Sequence, residues 1–315
     1  MLTALDASEM VIASLRAYGS AARSPRVDTV PFRGQNVGVE PLSALASVKP
    51  DLVILCVPPA VAGKIAPGLV ARGVIVLDVG DATAGVLDAP LVLPGIQSGL
   101  PDGVARAGAV RLPSSVGALL AALCQPLVGI GLTSCTGVVS LAASARGRGG
   151  MEELAQQVVA TLNNQDPPRR VFVDGLAFDT LPEDTAMDEW SGTEQLAAAE
   201  VEALTGLPAA SVGVQVAIQP LFAGVSAGLH LRGVTVDAVE AAWRATEGLV
   251  AVSRTARLRP RSTIGKPGVW WGRLRADPAG DGVFVWAVTD DLYGAGLAAA
   301  RVATWLSTAG LLGVA

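Results

Sequence analysis

Residues 51–80 read DLVILCVPPAVAGKIAPGLVARGVIVLDVG, and this stretch decides the fold class. Leu52 to Val57 is a short, unbroken apolar run, as a strand covered on both faces of a parallel sheet should be. Pro58-Pro59 ends it. Val61 to Val70 carries apolar residues at helical spacing, and Gly73 fits a C-cap. Val74 to Val79 is a second buried strand. Strand, helix and strand at this spacing form a βαβ unit, whose crossover is expected to be right-handed. Upstream, residues 27–32, Arg33-Gly34 and residues 35–39 read as a hairpin. A doubly wound domain normally opens with a strand, a Gly-rich turn and a helix. This chain opens on Met1-Leu-Thr-Ala-Leu, already helix-like, with no GxGxxG before it. The expectation is an α/β chain with an incomplete Rossmann-like domain. Its first strand and Gly-rich turn are missing, as if Met1 were not the true start.

Composition narrows the function classes. Of 315 residues, 51% are hydrophobic and 16% charged, against about 25% charged in average proteins. A core is affordable and disorder is excluded. The net charge of −5, with Lys49, Lys64 and Lys266 the only lysines, argues against a basic stripe for nucleic acid. Cys56, Cys124 and Cys135 have no CxxC spacing and each lies in an apolar run. They read as buried thiols in a reducing cytoplasm. One histidine, His230, makes a zinc site untenable and leaves little for Ser-His or Cys-His catalysis. Mean hydropathy is +0.48, and Leu112 to Ala145 carries no charge. Pro113, Pro126, Gly129, Gly131 and Gly137 break that run, so it reads as a buried helix and then a strand, not a membrane span. The first residues lack the basic start of a signal peptide.

Further along, Ser114-Ser115 marks a helix start running to about Leu123. Gly150 to Leu162 is helical with Met151, Leu154, Val158 and Leu162 on one face. Residues 164–192 are loop-like, and Glu194 to Leu204 is a helix. Strands fit residues 212–218, 228–234, 269–275 and 282–288. Val236 to Thr246 and Leu292 to Leu312 are helices.

Several segments together resemble the aspartate-semialdehyde dehydrogenase family, closest to its divergent Usg-type branch. Ala142-Ala-Ser-Ala-Arg-Gly-Arg-Gly-Gly-Met-Glu-Glu-Leu154 resembles "AVSGAGRAGVEEL". Pro220-Leu-Phe-Ala-Gly-Val-Ser226 resembles "PVFTGHS". Gly265-Lys266 with residues 269–278 resembles "GKDDVFVGRIRRDP", and Val288-Thr-Asp-Asp-Leu292 resembles "VGDNL". Residues 51–67, 74–78 and 90–94 match the nucleotide-domain landmarks. The likeness spans nearly the whole chain. It implies an NAD(P)-binding-like Rossmann remnant at 1–112 and 291–315, and an α+β catalytic-like and dimerisation domain at 113–290.

The resemblance also implies a cysteine nucleophile, a histidine acid–base, and glutamine and arginine clamps. Laid on this chain, the nucleophile falls on Ser115 and the glutamine on Leu141. The arginine falls on Ile218, the histidine on Val225, a phosphate-side arginine on Ala84 and a lysine near Leu196. A serine hydroxyl needs an adjacent base to rival a thiolate, and Val225 cannot accept a proton. The expectation is therefore a catalytically inactive relative that acts as a binding or subunit-type protein, with no cofactor of its own although the family uses NADP. The alternative is the family reaction itself, an NADP-dependent oxidoreductase of amino-acid biosynthesis. A serine hydrolase using Ser115 lacks a base.

Each other polar candidate has a simpler reading. Ser115 reads as an N-cap or packing residue. His230 lies five residues past Val225, on the opposite strand face. Arg146 and Arg148 flank a glycine cluster that reads as a tight turn rather than a phosphate cradle. Arg257, Arg259 and Arg261 read as a surface loop. Trp270-Trp271 alternates, placing one ring in the core and the other at a surface or dimer interface. Val212, Val214, Val216, Val269, Trp270 and Trp271 suggest a sheet apolar on both faces. Helices 150–162 and 236–246 would cover one face and a partner the other. The partner is expected to be a second copy or an active paralogue, with no nucleic acid and no membrane. A charge at Trp271 or Val214 is then expected to dissociate or aggregate the protein.

Overall fold

The computed structural model describes residues 1–8, 10–19, 29–80, 82–183, 191–253 and 255–313. They form two compact units: Met1–Leu112 with Ala295–Ala315, and Pro113–Gly294.

The first unit holds α1 (Leu2–Asp6), β1 (Ala17–Gly19), β2 (Thr29–Phe32), β3 (Gln35–Pro41), β4 (Leu52–Leu55), α2 (Pro59–Ala71), β5 (Ile75–Asp78), α3 (Val104–Ala107) and β6 (Ala109–Arg111). Strands β4, β5 and β6 lie parallel in that order, and β1, β3 and β2 form a second three-stranded sheet. The expected hairpin is β2–β3, turning at Arg33-Gly34; Val27 and Asp28 lie outside the described residues. Alternation along β5 explains why the 74–79 run is continuously apolar. Val76 packs with Leu55, Ala62, Ala66 and Leu69 of β4 and α2. Leu77 faces the other way, into Val110, Val302, Ala303 and Leu306. Both faces are covered, as a parallel sheet requires.

The second unit contains α4 (Ser115–Val128), β7 (Ser134–Leu141), α5 (Gly147–Leu162), β8 (Leu181–Pro182), α6 (Gly192–Thr205), β9 (Val212–Ile218), β10 (Val225–Arg232), α7 (Val236–Arg244), β11 (Leu249–Ala251), β12 (Val269–Ala276) and β13 (Gly282–Thr289), followed by the start of α8 (Asp291–Thr308). Its seven strands run in the order β11-β12-β13-β10-β7-β9-β8. The charge-free run from 112 to 145 becomes α4 and β7, and no helix among the described residues is long and apolar enough to cross a membrane. Of the loop-like stretch 164–192, residues 184–190 lie outside the described residues.

The two faces of this sheet differ. Cys135, Val139 and Leu141 of β7, Val212, Val214, Val216 and Ile218 of β9, and Val225, Ala227, Leu229 and Leu231 of β10 are all buried on one face. So are Val283, Val285 and Ala287 of β13 and Trp271 of β12. Helices α4, α6 and α7 pack against the strands there. Trp243 of α7 donates its indole N–H to Leu123 O of α4 at 2.9 Å and meets Trp271 edge-on at 5.1 Å. Within β7, Gly137 is a steric requirement: a Cβ there would lie 2.1 Å from Gly228 O of the neighbouring strand. The opposite face shows Val138, 45% exposed, with half-buried Thr136, Gly228, His230, Phe284, Trp286 and Trp270.

This corrects two expectations. Val212, Val214, Val216 and Trp271 do not populate both faces; they share the helix-covered one. The cover is α4, α6 and α7, not helix 150–162. A third correction concerns the thiols: Cys124 and Cys135 are buried, whereas Cys56 is exposed; all three are free.

On the open face, β12 carries a bulge between Gly272 and Arg275, with Arg273 at φ 54°. Such a conformation is uncommon for a bulky residue. The bulge sets Arg275 over Phe284 at 5.3 Å, and Phe284 stacks on His230 at 4.5 Å. His230 Nε2 lies 3.0 Å from Asp277 Oδ2, an ion-pair distance at an angle that makes no hydrogen bond. His230 thus sits on the face opposite Val225, as the odd spacing implies, and has a structural environment of its own.

Candidate active-site region

The four singled-out positions do not converge on a polar pocket. Leu141 ends β7 and pairs with Ile218, which ends β9. Val225 opens β10, one step beyond the Ser226–Ser140 pair that sets it beside Leu141. The three lie side by side across adjacent strands, and their side chains are 5%, 3% and 0% exposed. Their alternation places them on the helix-covered face. Any charged group there would need a partner that this apolar layer does not offer.

Ser115 stands at the first helical position of α4, but it is not the cap. Ser114 is: its hydroxyl oxygen accepts the Gly117 N–H at 3.1 Å. The Ser114 hydroxyl donates to Glu200 Oε2 at 2.6 Å, and its N–H donates to the same oxygen at 2.9 Å. Glu200, on α6, is buried, and its carboxylate lies where a Cβ on residue 117 would be, at 2.1 Å. Gly117 is therefore the residue that admits Glu200. Among the described residues Ser115 has no hydrogen-bonded base. Leu196 is half-buried on α6, and Ala84 lies in the turn after β5.

Two polar clusters here were not legible as such in the sequence. The first is Asp290-Asp291 at the start of α8. Asp290 is buried and accepts N–H bonds from Tyr293 at 3.0 Å and Gly265 at 2.7 Å. Asp291 accepts the Gly224 N–H at 3.0 Å and the Ser144 hydroxyl at 3.1 Å. Burial pushes the Asp291 carboxyl above its ordinary value against the pull of these two donors, and Asp290 adds to the rise. The adjacent acids in Thr289-Asp290-Asp291 were the available signal; a carboxylate pair before a helix reads simply as capping.

The second cluster is Glu153 and Gln157, one turn apart on α5 and both buried. Glu153 accepts N–H bonds from Arg170, Val171 and Phe172, each near 2.9 Å. Gln157 donates to Pro168 O at 2.9 Å and accepts from Leu176 and Ala177 at 2.7 and 3.0 Å. The pair organises the backbone of 168–177. Burial alone would raise the Glu153 carboxyl, but the Phe172, Val171 and Arg170 N–H groups and the Arg170 charge hold it below its ordinary value. The depressed value means that its stabilisation is present above about pH 4.3 and is lost as pH falls through the lower folded value. Glu153→Gln should cost about 2 kcal/mol, because an amide turns one acceptor oxygen into a donor facing N–H groups. The expected readout is faster proteolysis within 166–178 at neutral pH and loss of the acid-side slope in stability. An unchanged acid transition in the variant would refute this role.

The remaining candidates are accounted for locally. Arg146 pairs with Glu183 at 3.0 Å, and Arg148 pairs with Glu152 on its own helix. Gly147 takes φ 64°, and a Cβ at Gly150 would meet Ala143 O at 2.5 Å, so the glycine cluster is a tight turn into α5. Arg257, Arg259 and Arg261 are exposed. Among the described residues no group of three His, Cys, Asp or Glu could hold a metal.

A nicotinamide cofactor, implied by the resemblance, requires backbone N–H groups at a helix start beyond a parallel strand. After β4, α2 starts at Pro58-Pro59, and proline has no N–H to give. After β5, the Thr83 N–H and hydroxyl both donate to Asp78 Oδ2, at 2.6 and 2.7 Å. Neither of these two sites offers a free cradle of N–H groups among the described residues.

Comparison with known proteins places these observations. Residues 124–293 match the family model described as semialdehyde dehydrogenase, dimerisation domain. The aspartate-semialdehyde dehydrogenase of Legionella pneumophila is 25% identical over 323 residues, covering 99% of this chain and 92% of that one. A "USG-1 protein homolog" of Pseudomonas aeruginosa is 31% identical, covering 70% of this chain and 68% of its own. Among solved structures, aspartate semialdehyde dehydrogenase II of Vibrio cholerae superposes with a TM-score of 0.85 at 21% identity, covering 98% of this chain and 94% of that one.

Proposed function

We propose that this chain, which belongs to the semialdehyde dehydrogenase family, has given up the family's chemistry and persists as a dimer-forming binding or subunit-type protein. One observation carries the reading: the positions matched to the clamps and the base are Leu141, Ile218 and Val225, paired across adjacent strands and buried against helices. An apolar layer of this kind desolvates an acyl phosphate without compensating its charge. Among the described residues Ser115, at the nucleophile position, has no hydrogen-bonded base. The second reading, an NADP-dependent aspartate-semialdehyde dehydrogenase, rests on what the relatives are called.

The dimer would form on the open face of the seven-stranded sheet, within the segment matched to the dimerisation domain. Pull-down against an active paralogue separates a heterodimer from a homodimer. We place the protein in the cytoplasm, a reading that the free thiols support.

Cofactor binding tests the proposal directly. Calorimetry with NADP should give no saturable heat at micromolar concentrations, because among the described residues the start of α2 and the turn after β5 offer no free N–H cradle. A micromolar dissociation constant, about 8 kcal/mol of binding, would favour the second reading.

A further inference from the structure

The principal neighbour of α5 among the elements is the 143–146 turn at its own foot, not the sheet. Its inner side is taken by the 168–177 backbone, which Glu153 and Gln157 stitch to it. Helix and loop form an arm whose outer side stays apolar. Val159, Leu162, Val171, Val173 and Phe178 are each between 37% and 74% exposed. Large apolar side chains gathered in this way mark a contact surface.

Phe178 stands out on that surface. Residues 176–179 form a turn, closed by the Asp179 N–H on Leu176 O at 3.1 Å. Phe178, the third residue of the turn, takes φ 67°. Gly or Asn is ordinary there, and a bulky ring is strained. Nothing inside the chain offsets the strain by burying the ring, which is 64% exposed. A groove of about 540 Å³ lies between α5 and residues 165–170. Ala155, Val159, Ala160 and Pro168 give it apolar walls, and Asp166 and Arg170 also line it. Phe178 is not among its lining residues. Gln157 holds groove and ring together: its amide donates to Pro168 O and accepts the N–H groups of Leu176 and Ala177, next to Phe178.

We propose that Phe178 is a knob that seats in this groove on a second copy of the chain, while the second copy's Phe178 seats in the groove of the first. The inference rests on the dimer reading above and adds the arm to the open sheet face. A two-fold contact needs knob and hole on one surface, so that each copy offers both at once. Gln157 supplies that arrangement. Both parts lie inside 124–293, the segment matched to the dimerisation domain. The arm is ordered by its own hydrogen bonds, so docking immobilises little that is free beforehand. An aromatic ring in an apolar pocket is the usual anchor of an interface, and the lining pair of Asp166 and Arg170 carries no net charge to exclude a second copy.

The test is the dimer dissociation constant of the full-length protein, measured by sedimentation over a dilution series. Phe178→Gly, which removes the ring and suits the φ, should weaken the dimer at least about tenfold. Below the dissociation constant, where mass action no longer adds stability, its thermal midpoint should equal or exceed the native one. Val159→Glu places a charge in the groove at an exposed position and should weaken the dimer comparably, with an unchanged circular dichroism spectrum. The two changes together should cost less than the sum of the two, because they break one contact. Phe178→Tyr, which keeps the ring, should dimerise as the native chain does. A native dimer that neither Phe178→Gly nor Val159→Glu weakens would overturn the arm and leave the dimer reading standing, as would effects that simply add. A native chain that is monomeric at micromolar concentration, its knob left to some other protein, would overturn both.

Discussion

Pure protein supplied with aspartate semialdehyde, phosphate and NADP should show no turnover above background. The expectation follows from the proposed reading, in which Ser115, Leu141, Ile218 and Val225 stand where the family carries its nucleophile, clamps and base. Removing a nucleophile and its base typically lowers kcat by about a millionfold. Restoring one residue should not rescue the rate. Ser115→Cys supplies a thiol at the start of α4, but among the described residues no base is hydrogen-bonded to position 115 to ionise it. Adding Val225→His places an imidazole at a fully buried position of β10, beside Leu141 and Ile218, with no polar partner for its ring nitrogens. An unpaired buried polar group costs about 1–3 kcal/mol, so the double variant should lose stability before it gains activity. A spectrophotometric assay at high enzyme concentration decides the matter. Turnover that Ser115→Ala abolishes would overturn the inactive reading.

How much of the fold is legible in the sequence depends on period. Strands β5, β9, β12 and β13 were legible because their apolar runs are short and bounded by glycine, proline or charge, and β9 falls on 212–218 as read. The start of β10 lies three residues before the 228 that the sequence suggests, because Val225-Ser226-Ala227 continues a loop-like Pro-Leu-Phe-Ala-Gly stretch. Pairing with Thr289, Val288 and Ala287 is what makes it strand. The faces of the sheet were harder still. Alternation tells which residues share a face but not which face a helix covers, so the pattern alone points Val214 and Trp271 to an interface, whereas they belong to the core. The candidate positions themselves needed only the motif match. Their being neighbours across β10, β7 and β9 is a fact of register that no local pattern contains. Glu200 was invisible for a related reason: its partners, Ser114 and Gly117, lie more than eighty residues away in the chain.

The same distinction between faces predicts opposite outcomes for charges placed on one sheet. Val214→Asp and Trp271→Glu should unfold the protein rather than dissociate it. Val214 is 1% and Trp271 4% exposed, both under α4, α6 and α7. Truncating a buried tryptophan costs about 3–5 kcal/mol, and an unpaired carboxylate in its place adds to that. Against a total stability of about 5–15 kcal/mol, either variant should lose its cooperative thermal transition or aggregate. Val138→Glu is the informative counterpart. Val138 lies on β7 between Gly137 and Val139, but its side chain points to the open face, amid Thr136, Gly228 and Trp286. Being 45% exposed in the single chain, it should cost the fold no more than about 0.5 kcal/mol. If that face meets a second copy, the charge is buried twice about a symmetry axis, because both copies use the same patch. Light scattering should then report a dimer for the native sequence at micromolar concentration and a folded monomer for Val138→Glu, with an unchanged circular dichroism spectrum. A native chain that is monomeric at that concentration, or a Val138→Glu variant that remains a dimer, would remove the open sheet face as the site of association.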